Sequence, residues 1–132
     1  MPLSPRDVGT VQVTRPRRVE KPWGHELIFA QTERYVGKLL HIEAGHSLSR
    51  QYHAYKEETL HVLHGTIRLE IGEGEHIEST EVGPGEAFHL VPGTIHRFTA
   101  EETTQLLEVS TPELDDVIRL EDAYGREGTT EA

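Results

Sequence analysis

The chain is cut into short pieces from end to end. Twelve glycines and seven prolines are spread over 132 residues. Glycine opens backbone conformations closed to other residues and proline removes a backbone donor, so both end regular structure. The runs between them are too short for long helices, and many are rich in residues that suit a pleated strand. Residues 35–43 alternate, with Leu40 and Ile42 on one face and Leu39 and His41 on the other. By the same reading, strands are predicted over 25–31, 59–63, 66–71, 76–82, 87–91, 95–99 and 105–110. The runs 59–63 and 66–71 flank His64-Gly65 and are expected to pair as a hairpin. Residues 115–124 suit a helical turn or a strand equally well. Short strands at this spacing, with Gly and Pro between them, predict an all-β antiparallel sandwich or barrel. A Gly-rich turn followed by a strand bearing a histidine occurs twice, as a two-fold jelly roll would give.

A chain of 132 residues, 35% of them hydrophobic, supports one domain around one core. The expected division is a loose arm over 1–20 with one edge strand near 10–14, a barrel over 21–126, and a frayed end over 127–132. Without cysteine, neither a disulfide framework nor a thiolate metal site is available, and a reducing cytoplasm is the expected setting. The first residues lack the charged-then-apolar layout of a signal peptide. No apolar run approaches the roughly 18 residues of a membrane span. Without such a run a membrane is not expected as a partner, and a formal net charge of −10 repels phosphate backbones, so nucleic acid is not expected either. A small phosphorylated ligand needs only a local basic pocket and stays compatible.

Nine histidines point weakly to metal. Their spacing says more. Gly45, five residues, Gln51, one residue, His53, four residues, Glu58, six residues and Gly65 form one block; Gly85, ten residues and His96 form another. Gln51 and His53, two apart on a strand, share a face. Four such groups can converge only inside a barrel, where inward residues of neighbouring strands face one another. Two imidazoles, a carboxylate and an amide oxygen suit one divalent ion: Zn, Mn, Fe, Co or Ni. Four protein ligands would leave an octahedral ion two open positions for water or substrate.

These spacings resemble the two signature motifs of the cupin superfamily, Gly-x5-His-x-His-x3,4-Glu-x6-Gly and Gly-x5-Pro-x-Gly-x2-His-x3-Asn. The chain departs from them at Gln51, at Pro92 (one residue late) and at Ala100. A narrower resemblance runs from Lys21 onward. The blocks Lys21-Pro22-Trp23-Gly24, Leu48-Ser49-Arg50-Gln51-Tyr52-His53 and Pro92-Gly93-Thr94-Ile95-His96-Arg97, with the tail from Asp115 to Arg126, look like the type II mannose-6-phosphate isomerase domain. That domain often forms half of bifunctional isomerase/guanylyltransferases, and it carries Gln at the first ligand position. The resemblance implies a double-stranded β-helix, or jelly-roll barrel. It also implies a homodimer, and an intramolecular oxidoreductase that interconverts mannose 6-phosphate and fructose 6-phosphate. An Fe(II) oxygenase, a non-catalytic sugar-binding or regulatory module, and an isomerase of another sugar stay open beside it.

Other residues are weighed against blander roles. Lys38 shares the face of Leu40 and Ile42, where a lysine is costly unless it meets an anion or solvent. Arg119 and Arg126 could grip a phosphate through their forks, or pair with Asp115, Asp116, Glu121 or Asp122 around them. Lys38, Arg119 and Arg126 are thus the candidate substrate-binding residues. His89, Glu26 and Tyr35 are the candidate bases for proton transfer. Trp23 is expected to pack rather than to stack on a sugar.

Overall fold

The computed structural model describes residues 6–128; the first five residues and 129–132, where the expected arm begins and the frayed end finishes, lie outside the described residues. The described chain is all-β: β1 (Arg6–Val8), β2 (Val11–Val13), β3 (Arg17–Lys21), β4 (Gly24–Gln31), β5 (Val36–Ile42), β6 (Arg50–Tyr52) and β7 (Glu58–His64) are followed by β8 (Ile67–Ile71), β9 (Glu78–Val82), β10 (Ala87–Leu90), β11 (His96–Ala100), β12 (Thr104–Ser110) and β13 (Ile118–Glu121). One sheet has the order β10-β7-β12-β5-β4-β3 and the other β13-β6-β11-β8-β9, with β1-β2 as a separate ribbon. Every pairing is antiparallel. The core draws Leu40, Ile42, Leu60 and Leu106 from the first sheet and Ile67, Leu69, Val82 and Phe98 from the second, so the two inner faces close on one another as a jelly roll.

Alternation places most of these strands. On β5, Val36, Lys38, Leu40 and Ile42 point inward and are buried. Two departures from the sequence reading are informative. The expected hairpin between 59–63 and 66–71 does not form: β7 pairs with β10 and β12, while β8 pairs with β9 and β11 in the other sheet. Gly65 makes this crossing, with φ +88° and so little room that a Cβ would lie 2.4 Å from Thr104 Oγ1 and 2.6 Å from the Thr103 carbonyl oxygen. The turn residues resembled those of a hairpin, but the two strands bury their faces against opposite walls. Second, Arg17–Lys21 extends the large sheet as its edge strand, whereas β2 pairs only with β1. The segment Arg17-Arg18-Val19-Glu20-Lys21 has no apolar alternation because an edge strand of this kind is charged and largely exposed. Residues 115–124, which the sequence left open between a helical turn and a strand, contain the strand β13, and it pairs with β6.

Candidate functional site

The inner faces of both sheets contribute to one cavity. His53 follows β6, Glu58 opens β7 and His96 opens β11. One potential ligand atom from each lies within 4.8 Å of the others, and all three residues are buried. The local backbone sets the chemistry of both rings. His53 Nδ1 donates to the Asp116 carbonyl oxygen at 2.6 Å, and His96 Nδ1 donates to the Thr94 carbonyl oxygen at 2.8 Å. A carbonyl can only accept, so each Nδ1 carries the proton and each Nε2 presents a lone pair. His53 Nε2, His96 Nε2 and Glu58 Oε2 are buried and make no hydrogen bond of acceptable geometry. His53 Nε2 nevertheless lies 3.1 Å from Glu58 Oε2. Two acceptors this close repel unless a proton or a cation lies between them. Adjacent ligands of one ion are also about 3 Å apart when each sits about 2.1 Å from it at right angles. The donor set therefore fits a divalent ion.

Gln51 sits on the same wall, its Cα paired with His96 on one side and Arg119 on the other. Its Oε1 accepts a 2.6 Å hydrogen bond from the buried Ser49 hydroxyl, which orients the carboxamide and leaves one oxygen lone pair. The loop after His53 is clamped by Asp116, whose carboxylate accepts from the amides of Ala54, Tyr55 and Lys56 at 3.0, 2.6 and 2.9 Å. One residue thus holds both the His53 ring, through its carbonyl, and the loop that leads to Glu58.

Charge balance in the cavity differs from that of the chain. Lys21, Lys38, Lys56, Arg119 and Arg126 line it against the carboxylates of Glu26, Glu58 and Glu108. Lys38 Nζ donates to Glu26 Oε1 at 3.3 Å with both residues buried. Lys56 Nζ lies 3.2 Å from Glu58 Oε2 and 3.1 Å from Glu108 Oε2. Burial opposes the charge on Lys56, but the Glu108 and Glu58 carboxylates outweigh it and hold its pKa above the ordinary lysine range. Burial likewise opposes ionisation of Glu58. The neighbouring His53 and the charge of Lys56 more than offset it, and the carboxyl stays well below its usual range. Burial pushes the His96 imidazole down to about 4, with Glu58 opposing it. Burial also lowers the pKa of Lys21; Glu26 counters this, and the charges of Lys38, Arg119 and Arg126 reinforce it.

Of the expected site residues, Gln51, His53, Glu58, Lys38, Glu26, Arg119 and Arg126 line the cavity. His96 presents its Nε2 beside His53 and Glu58. Arg126 is also held by Asp122 in a two-pronged pair at 2.9 and 3.1 Å, and its guanidinium lies 5.7 Å from the centre of the Tyr124 ring. Trp23 is 2% exposed and belongs to the core while forming part of the cavity wall. His89 and Tyr35 do not line the cavity. His89 is half exposed on β10 and pairs with Glu57, because Phe88 and Leu90 take the inward phase. Tyr35 is 55% exposed just before β5.

The sequence reading missed Lys21, Lys56, Glu108 and Asp116. The signal for Glu108 was present but blurred. Thr104, Leu106, Glu108 and Ser110 all point inward on β12, but the neighbouring Leu107 makes either phase of the strand look apolar. Lys56 lies in a loop, where periodicity says nothing.

The profile of the cupin domain matches residues 38–110. The chain is 34% identical over 115 residues to the mannose-1-phosphate guanylyltransferase ManC of Salmonella typhimurium, an alignment covering 83% of this chain and 23% of that protein. It is 29% identical over 126 residues to the xanthan biosynthesis protein XanB of Xanthomonas campestris, covering 92% of this chain and 26% of that one. It thus spans about a quarter of the length of the curated relatives it matches. These relatives agree with the resemblance to the cupin domain that accompanies mannose-phosphate guanylyltransferases. Among solved structures, KdgF from a Halomonas species superposes with a TM-score of 0.65 at 22% identity, covering 76% of this chain and 91% of that one, a likeness of fold. Sheet order, the match over 38–110 and the converging His53, Glu58 and His96 agree: the chain belongs to the cupin domain family.

Proposed function

We propose that this chain is a metal-dependent sugar-phosphate isomerase that interconverts an aldose and a ketose, mannose 6-phosphate and fructose 6-phosphate being the pair its sequence resemblance implies. The supporting observation is the pairing of two fixed imidazole lone pairs with Glu58 in a cavity that is locally cationic within an acidic chain. His53, Glu58 and His96 would hold a divalent ion, with Gln51 as the fourth group on the same wall. When bound, such an ion supplies Lewis-acid stabilisation of the negative charge that develops on neighbouring sugar oxygens. Lys38 and Arg119 are buried on the wall, with Lys21 and Arg126 beside them, and they suit the phosphate end of the ligand. Relatives named for mannose 1-phosphate and for xanthan biosynthesis support a phosphorylated hexose as the ligand class. No part of the guanylyltransferase reaction is assigned to this chain.

Elemental analysis tests the metal: about one divalent ion per chain is expected, lost in His53→Ala and in Glu58→Ala while the circular dichroism of a β protein is kept. A chain that takes up none of Zn, Mn, Fe, Co or Ni would remove the basis of the reading. For the substrate, the metal-loaded protein is assayed with mannose 6-phosphate and with free mannose. Arg119→Ala should raise KM or lower kcat for the phosphorylated sugar alone; ligand binding without turnover would point to a sugar-binding module instead.

A further inference from the structure

The inner wall of the large sheet carries charges where a small barrel ordinarily carries aliphatic side chains. Glu26 on β4, Lys38 on β5, Glu108 on β12 and Glu58 on β7 lie on four neighbouring strands, and Lys38 is in register with Glu108. Lys56 reaches in from the loop before β7 and touches both Glu108 and Glu58. The result is a row of alternating sign, Glu26, Lys38, Glu108, Lys56, Glu58, in which no member is more than 7% exposed. Well-packed apolar residues at such positions are often as stabilising as buried ion pairs, or more so. Stability alone therefore does not explain the row.

Its three carboxylates are differently engaged. Glu58 faces the two histidine lone pairs and belongs to the ligand cluster. Glu26 accepts a hydrogen bond from Lys38. Glu108 lines the cavity, lies outside the ligand cluster, and has a buried Oε2 with no well-formed hydrogen bond, although Lys56 is 3.1 Å away. Through that shared ammonium it is the next carboxylate along from the ligand cluster. Glu58 and Glu108 line the same cavity, so a reactive carbon whose oxygens face the ligand cluster would be open to Glu108 from the cavity side.

We propose that Glu108 is the proton-transfer base of this site and that Lys56 is the residue that positions it. The inference rests on the isomerase reading above. In the forward direction the Glu108 carboxylate takes the proton from C2 as the C2–H bond breaks. The electron pair forms the C1–C2 double bond, and the C1 oxygen takes up the negative charge. The C2 hydroxyl proton passes to that oxygen. Glu108 then returns its proton to C1, leaving a carbonyl at C2 and no net change in atoms or charge.

The test follows mannose 6-phosphate by proton NMR in D2O with metal-loaded protein, reading ketose formation and deuterium at C1 and C2. Glu108→Gln should lower turnover by about 10²- to 10⁴-fold while leaving the metal content and the KM for mannose 6-phosphate close to wild type. Glu108→Asp, which keeps the charge on a shorter arm, should fall between the two. Lys56→Met should lower kcat more than it raises KM, and His89→Gln, outside the cavity, should behave as wild type. Turnover of Glu108→Gln within tenfold of wild type overturns the inference and leaves the isomerase reading standing, as does a variant that loses its metal along with its activity. Loss of activity confined to Glu26→Gln moves the role to Glu26 and overturns it as well. A wild-type protein that turns over no sugar phosphate overturns both.

Discussion

Replacing Lys56 by methionine should destabilise the metal-free protein severely, and a divalent ion should restore much of the loss. Lys56 is 6% exposed, and its ammonium lies between Glu58 and Glu108 at 3.2 and 3.1 Å. Methionine has a similar length, so the change removes charge more than volume. Breaking a buried pair by deleting one partner costs about 3–5 kcal/mol, because the remaining charge is left uncompensated. Here two carboxylates are left, so the upper part of that range is expected. A domain of this kind has about 5–15 kcal/mol in total, and the loss should lower Tm by on the order of 10–20 °C. An ion held by His53, Glu58 and His96 would neutralise Glu58 from the other side. At a concentration of 100 Kd it stabilises any protein that binds it by about 2.7 kcal/mol. The gain should be larger in the variant, where the ammonium no longer opposes the ion. The assay is urea unfolding of wild type and Lys56→Met, each in excess chelator and in saturating Zn or Mn. Adding Glu108→Gln to Lys56→Met should recover part of the loss, since the two sites share one contact. The reasoning is refuted if Lys56→Met in chelator lies within about 1 kcal/mol of wild type, or if the ion stabilises both proteins equally.

Acid should destabilise the metal-free fold through His96 in a defined window. Its ring is held at about 4 in the folded chain, against an ordinary 6.5. The stability carried by the neutral ring is therefore complete above about pH 6.5 and declines as the pH falls towards 4, by up to about 3 kcal/mol. Urea midpoints measured from pH 7 to pH 4 should show a flatter slope in His96→Gln; parallel slopes would exclude the assignment. Gly65→Ala should cost at least about 1–3 kcal/mol from its left-handed backbone alone, and more from the 2.4 Å approach to Thr104 Oγ1. Thermal melts read this directly, and an unchanged Tm would mean that the crossing between the sheets tolerates another path.

The residues by themselves determined the class of fold and the positions of the candidate ligand cluster. Glycine, proline and two-residue alternation are local signals, and they carried the strands from 25–31 to 105–110 because each such run had one wall to bury against. The spacing of Gln51, His53, Glu58 and His96 was legible too, since Gln51 lies on β6, His53 just follows it, and Glu58 and His96 open β7 and β11. Partnership was not local. Whether β7 pairs with β8 depends on which sheet each strand's apolar face meets, and the tight passage at Gly65 past Thr103 and Thr104 exists only once β12 is in place. His89 offered a strand position that alternation could read either way, and only the packing of Phe88 and Leu90 against the core turned it outward. The row from Glu26 through Lys38, Glu108 and Lys56 to Glu58 is likewise a tertiary product: its members come from four strands and a loop, and each charge is tolerable in the interior only because folding brings the next one beside it.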